Sequence, residues 1–547
     1  MVVSADLYES VKDAASHYGR HSSAGKCVEV IVTKQNSGVT MQTLTQAPAG
    51  DTSRPDVWSP AGSIWLDLVR QRATDSAREL LPKKSPESIA VSPLVIAMPQ
   101  PMAEQLGWGR DNFGWKDLIN AAKDAPAFWK HHGKPDWGPL KLGKTNPAYS
   151  TSGLNSTIAA FYATAGTHTP LTPAAVTNAD NQTSERNIED AVVHYGDTTL
   201  TFMANLRHAD DAASPAAALH YFSAATVEEA TVVAYNLGYP CGTSSSEPGC
   251  SKRKSRPRTP LVAFYPQDGT LYSDHPYIKL NGLSSAKDAV ADSFAAYLRS
   301  PGVQKQFAAI GYRTLNKKPT SLLTQPNGAL RDAPLNPLPN PQPGALDKLL
   351  NIWPQLRKKA NVLFLIDTST SMDDPVAGTG GQSKMDLLQK ASPQLFGSGY
   401  FANTDRVGMW EFNSGITSKV DVGSMSQNRR TLTETLKDFI PGGSTDLYQT
   451  VDSAVESLSS RYDSKAINAI VVLTDGKNDP RNDKAKNNLI ENLKTHSPAI
   501  RVFTIAYGND ADKTVLQQMA DASGAHAYDA KDATTIRNVL VDVISNF

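Results

Sequence analysis

Four short apolar runs set most of what the C-terminal part of this chain can become. They are NVLFLID (361–367), RVGMWEF (406–412), AINAIVVLTD (466–475) and RVFTIAYG (501–508). Runs of this length, bounded by polar turns, are the pattern of strands buried on both faces of a parallel sheet. Amphipathic stretches lie between them, such as LYQTVDSAVESLSSRY (447–462), whose apolar residues recur at helical spacing. Alternating strands and helices argue for an open, doubly wound α/β sheet, in which functional groups gather at the carboxyl ends of the strands.

At that edge the chain carries hard oxygen donors. The first run ends in DTSTSM, which puts Asp367, Ser369 and Ser371 on the loop leaving the strand. One carboxylate and two hydroxyls at i, i+2 and i+4 suit Mg²⁺ or Mn²⁺, which use few carboxylates and keep waters. PGGSTDLY adds Thr445 just before a helix, and VVLTDG adds Asp475 at another strand end. Each loop alone could be an ordinary cap or turn. Three of them converging on one edge point to a metal site.

These three stretches, in this order, resemble the metal-ion-dependent adhesion site of a von Willebrand factor A domain. The resemblance implies that Asp367, Ser369 and Ser371 supply its first part, Thr445 the second and Asp475 the third. It implies Mg²⁺, with Mn²⁺ or Ca²⁺ as alternatives, and an open coordination position that a partner's Asp or Glu carboxylate can fill. Protein binding, not catalysis, is the implied activity. The chain departs from the commoner Gly-Gly-Thr pattern, because Ser444 precedes Thr445 and Asp446 follows it. Nothing in the domain suggests an enzyme. An aspartyl-nucleophile phosphatase would want a second Asp where Ser369 stands, and there is no G-x-S-x-G elbow and no H-E-x-x-H pair.

DAPLNPLPNPQPGALD (332–347) holds five prolines between Pro334 and Pro343. Proline lacks a backbone donor and fixes φ, so the sequence predicts an extended linker over 316–350, separating 1–315 from 351–547. In the N-terminal part CVEVIVTK (27–34), SIAVSPLVIAMP (88–99) and PLVAFYP (260–266) read as strands, and AKDAVADSFAAYLRS (286–300) as a helix. The segments VSADLY, PDVWSP, SPLVIAMP, NPAYSTSGL, YNLG and AFYPQDG resemble, in order, the type II periplasmic solute-binding proteins of ABC importers. That resemblance implies a two-lobed clamshell, crossed by chain at 88–99 and 257–269, with a small-molecule ligand in its cleft. Hydroxyls and backbone N–H groups at helix starts make polar-ligand cradles. The candidates are Ser4, Ser59, Ser152 and Tyr235, each of which could equally be a helix cap or a core residue.

The remaining features mostly exclude. A chain of 547 residues suits two or three domains. Lys+Arg and Asp+Glu both number 54, which gives no reason to expect nucleic acid or an anionic membrane as partner. No run approaches the ~20 apolar residues of a membrane helix. The opening MVVSADLY reads as a first strand, with no signal peptide visible. Cys241 and Cys250 bracket a short polar loop and could close a disulfide, which fits an oxidising compartment; Cys27 is left over. The basic run KRKSRPR (252–258) beside it reads as a solvated loop or, alternatively, a contact for acidic polymers.

GPLKLGKT (138–145) matches the phosphate-loop pattern G-x-x-x-x-G-K-[ST], but its surroundings do not. A phosphate loop follows a buried strand and opens a helix. Here a Gly- and Pro-bearing stretch precedes the match, Asn146 and Pro147 follow it, and Leu140 and Leu142 alternate like a strand inside it. The expectation is therefore an extracytoplasmic, two-domain binding protein. An importer's solute receptor is the alternative, and a P-loop ATPase a remote one.

Overall fold

The computed structural model describes residues 1–21, 28–46, 54–211, 216–242, 254–397, 400–479, 482–496 and 500–547. Apart from 246–249, the chain divides into one unit running to Leu356 and another spanning Arg357–Phe547.

The second unit is a six-stranded sheet in the order 416–424, 406–412, 359–367, 466–474, 501–507, 527–530. All neighbours are parallel except the edge strand Ile416–Ser424. Eight of the nine residues of Lys359–Asp367 are buried, and all of Ala466–Thr474. That burial on both faces explains why these strands read as near-continuous apolar runs. Leu363, Leu365, Ile470 and Val472 face the helices Leu447–Ser459, Asp483–Thr495 and Lys513–Ser523. Phe364 points the other way and packs edge-on against Phe396. From the central strand Lys359–Asp367 the chain winds first to one side of the sheet, then crosses to Ala466–Thr474 and winds to the other. The carboxyl ends of these two strands are the topological switch point, where open α/β sheets bind ligands.

Among the described residues the first unit holds two sheets. One has the order 278–279, 57–59, 2–3, 33–34; the other runs 192–196, 142–145, 224–228, 92–99, 261–264. Ser92–Pro99 is buried along its whole length. The chain just before it bridges to Pro276 and Arg313 beside the first sheet, and Leu94–Pro99 pairs within the second. The crossing expected at 88–99 is present; the one expected at 257–269 falls further along the chain, since Leu261–Phe264 stays in the second sheet, Tyr272–Ser273 pairs with Ser92–Pro93, and Ile278–Lys279 joins the first sheet. The strand expected at 27–34 shrinks to Thr33–Lys34, because it pairs with the two-residue strand Val2–Val3; Cys27 lies outside the described residues.

The segment 316–350 is not a free spacer. Leu323, Ala329, Leu338, Ala345 and Leu346 are buried. Gly328 O accepts from Ala263 N at 2.8 Å, and Thr270 exchanges 2.8 Å backbone bonds with Asn336 and Leu338. The prolines keep the backbone extended, as the sequence predicts, but the leucines and alanines between them find core. The helix Ala345–Leu356 ends this unit, with Trp353 buried and donating to Glu189 Oε1 at 2.8 Å.

Candidate metal centre and ligand cleft

Asp367 ends the central strand, fully buried. Its Oδ1 accepts from Ser369 N at 2.8 Å, which curls the loop back over the strand end, and its Oδ2 accepts from Thr474 Oγ1 of the neighbouring strand. Ser369 Oγ lies 3.2 Å from Ser371 Oγ, and Ser371 Oγ donates to Asp475 Oδ1 at 2.8 Å. The loop carrying Thr445 is tied to the first by Gly442 N to Thr368 O at 2.7 Å and Thr370 N to Gly443 O at 3.1 Å. A Cβ built on Gly476 would lie 3.3 Å from Thr445 Oγ1 and 3.9 Å from Ser371 Oγ, so these two hydroxyls flank one point. All five expected residues therefore meet at the switch point.

The structure also separates Ser444 from Thr445. Ser444 Oγ donates to Ser414 Oγ at 3.1 Å, and its backbone N–H to the same oxygen at 2.9 Å. Ser444 braces the loop from outside, and Thr445 is the buried hydroxyl turned toward Ser371.

Two buried carboxylates now sit in one polar pocket. Burial pushes the Asp367 carboxyl up to about 6, with the charge of Asp475 adding to the rise, against hydrogen bonds from Thr474 and Ser369 that lower it. A divalent cation would relieve that cost, and a donor set of hydroxyls and two carboxylates fits Mg²⁺ or Mn²⁺. Among the described residues no three His, Cys, Asp or Glu side chains come together as a metal cluster. This site draws instead on serine and threonine.

Two participants escaped the sequence reading. Thr474 reads as an ordinary strand residue and shows its role only through the register with Asp367. Lys384 opens the helix Lys384–Leu395, whose start is marked by a capping box: Ser383 Oγ accepts from Asp386 N at 3.1 Å and Asp386 Oδ2 from Ser383 N at 2.8 Å. That signature locates the helix but not the direction of its lysine. Lys384 Nζ lies 2.6 Å from Asp475 Oδ2, 3.2 Å from Ser371 O and 3.4 Å from Asp374 Oδ2.

In the first unit a small polar pocket lies between the lobes. Ser4, Ala5, Asp6, Asn36 and Ser37 line it from one side; Tyr149, Ser150, Thr151, Asp197 and Thr198 from the other. The lobes touch around it: Gly38 N donates to Tyr149 O at 3.0 Å, Trp65 Nε1 to Thr151 Oγ1 at 2.7 Å, and Thr199 Oγ1 to Asp6 Oδ1 at 3.0 Å. Burial pushes the Asp6 carboxyl up to about 6, and the nearby Glu228 adds to it.

Of the four expected cleft residues, Ser4 lines this cavity, and its buried Oγ has no hydrogen-bond partner among the described residues. Ser59 is the neighbour of Ser4, whose N–H it accepts at 3.0 Å, but does not line the cavity. Ser152 Oγ sits between Thr145 Oγ1 and Ser150 Oγ, at 3.0 and 3.1 Å, one step behind the lining. Tyr235 is a correction. It is packed in the core with Phe202, Met203 and Leu206, on the buried face of Glu229–Asn236, because its ring is the larger part of its surface. Asn36, Ser37, Asp197 and Thr198 were missed, although Asn36–Ser37 and Thr198–Thr199 are helix starts of the kind such a cradle needs. Cys241 is disulfide-bonded; Cys250, its expected partner, and the start of the basic run lie outside the described residues.

The phosphate-loop match is a strand. Leu142–Thr145 pairs with both neighbours in the second sheet. Lys144 is buried, with Nζ 2.7 Å from Glu185 Oε1 and 2.5 Å from Glu189 Oε1. A lysine committed to two glutamates inside the protein cannot reach a nucleotide.

Residues 1–313, more than half of the chain, match the family model of the bacterial extracellular solute-binding proteins. The chain belongs to that family. Residues 361–541 match the von Willebrand factor type A domain, and the sheet order and the three loops at its switch point agree. Similar solved structures include a von Willebrand factor type A protein from Catenulispora acidiphila, at 16% identity, covering 34% of this chain and 42% of that one, with a TM-score of 0.30. The PilB minor pilin from Streptococcus sanguinis aligns at 17% identity over 34% and 61%, with a TM-score of 0.29. Proximal thread matrix protein 1 from the mussel byssus aligns at 18% over 34% and 48%, with a TM-score of 0.28. The alignment spans less than two thirds of the length of each of these three. No curated protein matches the chain. Among the described residues no helix is long and apolar enough to cross a membrane.

Proposed function

We propose that this extracellular-type binding protein uses Asp367, Ser369, Ser371, Thr445 and Asp475 to hold a divalent cation, Mg²⁺ by its donor set, and binds the acidic side chain of a protein partner there. The observation that carries the reading is the convergence of three loops, tied to one another by backbone hydrogen bonds, on two buried carboxylates at the switch point of the sheet. When bound, the metal supplies a Lewis-acidic position for a carboxylate oxygen. The chain's own groups orient it: Ser369 N–H and Thr474 fix the Asp367 carboxylate, and Ser414 braces Ser444 so that Thr445 faces inward.

The test is an array of Asp-bearing peptides, each paired with its Asn counterpart. Retention on the Asp member with Mg²⁺, lost with EDTA and in Asp367→Ala, is expected. Equal retention on Asp and Asn peptides, or retention indifferent to EDTA, would overturn the reading.

A second reading concerns the cleft, which we infer receives a small anion. The helices Ala5–His21, Ser37–Thr45, Thr151–Ala165 and Thr199–Asp211 all start at the cavity. Helix N-termini present backbone donors and the positive end of the dipole. Among the described residues the lining has no lysine, arginine or histidine, and Ser4 Oγ is a buried hydroxyl without a partner there. Asp6 and Asp197 in the same lining favour an anion that still carries a proton to donate. Calorimetric titration with phosphate, with sulfate, and with glucose as a neutral control tests this. Heat with phosphate that is lost in Ser4→Val supports it; binding of glucose alone refutes it.

A further inference from the structure

Lys384 breaks two local rules. It is a cation at the first position of a helix, where the dipole disfavours positive charge, and it is 7% exposed, where lysine is rare. Residues that violate local preference are expected where function compensates. Its surroundings are built for it. Tyr507 Oη donates to Lys384 O at 2.8 Å, fixing the backbone from the adjacent strand end. The next residue, Gly508, has φ +81, and a Cβ there would lie 3.3 Å from Lys384 Cε and 3.8 Å from Nζ. A glycine thus leaves room for the lysine stem as it passes to Asp475. Burial disfavours the ammonium, but Asp475 and Asp374 outweigh it and hold the lysine in its charged form.

Charge counting then gives a consequence. Counted over the buried groups alone, with the solvent-exposed Asp374 at the rim left out, Asp367, Asp475 and Lys384 together carry one negative charge. With a divalent cation the centre carries one net positive charge; without the lysine it would be neutral. We propose that Lys384 is a specificity-determining member of the metal centre: its ammonium, fixed on Asp475, weakens the hold on the divalent cation and keeps the loaded centre positive, so that it selects an anionic group over a neutral one. The proposal rests on the metal reading above.

The test uses the full chain and Mn²⁺ alone, followed by electron paramagnetic resonance and by the thermal shift that Mn²⁺ produces relative to EDTA. Removing a unit charge next to a dication is expected to tighten Mn²⁺ binding about ten-fold in Lys384→Gln, and in Lys384→Met as a second neutral variant. Lys384→Arg, which keeps the charge, is expected to stay within about two-fold of wild type. Both neutral variants leave Asp475 buried without its partner, so in EDTA they are expected to melt lower than wild type and to gain more on adding Mn²⁺. That differential gain survives even if one variant folds poorly. Acetate added to the Mn²⁺-loaded protein is expected to perturb the wild-type spectrum at lower concentration than that of Lys384→Gln. Neutral variants that bind Mn²⁺ no more tightly than wild type overturn the role of Lys384 and leave the metal site standing. A wild-type protein that binds no Mn²⁺ overturns the metal site and this role together.

Discussion

Lys144→Met tests the reading of the phosphate-loop match as structure. The ammonium, Glu185 and Glu189 are each at most 2% exposed, and the lysine contacts both carboxylates directly. Tyr195 Oη and Trp353 Nε1 also donate to Glu189; burial raises its carboxyl, but the lysine's charge and hydrogen bonds from Glu185, Lys144 and Tyr195 outweigh burial and hold it below its ordinary value. Burial, with the charge of Glu189 beside it, pushes Glu185 up to about 8. At neutral pH the trio therefore holds one ammonium, one carboxylate and one carboxylic acid, and is close to neutral. Taking away the ammonium strands the Glu189 charge in a site shut off from bulk solvent. Breaking a buried pair in this way costs about 3–5 kcal/mol. Denaturant unfolding followed by tryptophan fluorescence reads it, since Trp353 and Trp129 are buried in the same unit. The second variant, Lys144→Met with Glu189→Gln, removes the stranded charge, keeps an acceptor for Trp353, and is expected to recover more than half of the loss. Mg-ATP is expected to shift neither wild type nor variant. A loss below about 1 kcal/mol at pH 7.5, or a nucleotide-dependent shift abolished by Lys144→Met, would refute the reasoning.

Glu185 also sets a pH dependence. Its folded value, about 8, lies above the ~4.3 of an unfolded glutamate, so the folded state keeps a proton that the unfolded state has lost. Stability of the first unit is thus expected to fall as pH rises from about 4.5 through 8, and Glu185→Gln to flatten that slope in a pH series of melting curves. Thr445→Ala is expected to weaken Mn²⁺ binding about ten-fold while Ser444→Ala changes it less than about two-fold, as titration calorimetry would register; the reverse order would mean that Ser444 holds the metal. A chain ended at residue 356 is expected to give a cooperative melt, whereas one ended at 315 loses the core contributed by Leu323, Ala329, Leu346 and Trp353 and is expected to melt at least about 5 °C lower or not to fold.

The parallel sheet was legible because its central strands are buried on both faces, which leaves the apolar runs 362–366 and 469–473. The three metal-site loops were legible for a related reason: each directly follows a strand end or precedes a helix, so sequence position fixes place in the fold. Lys384 was not, since nothing local says that a lysine at a helix start turns inward; only Gly508 and Tyr507, far along the chain, make the space and the anchor. The cleft was legible as a type of site more than as residues. Ser4 and Ser59 are neighbours across one hydrogen bond, yet only one lines the cavity, and period-2 register decides which. Tyr235 misled because a tyrosine in a helical run reads the same whether its ring faces a ligand or a core. The proline-rich segment misled because proline reports backbone conformation, not burial, and the packing of Leu338 and Ala345 depends on surfaces elsewhere in the unit.

The central claim is that Asp367, Ser369, Ser371, Thr445 and Asp475 form one divalent-metal centre. Crystals of the full chain soaked in Mn²⁺, measured for anomalous scattering, test it most directly. The account predicts a single strong peak among the hydroxyls of Ser369, Ser371 and Thr445 and the Asp367 carboxylate, absent in crystals of Asp367→Ala. No peak at that edge of the sheet, or a peak that persists there without Asp367, would contradict it.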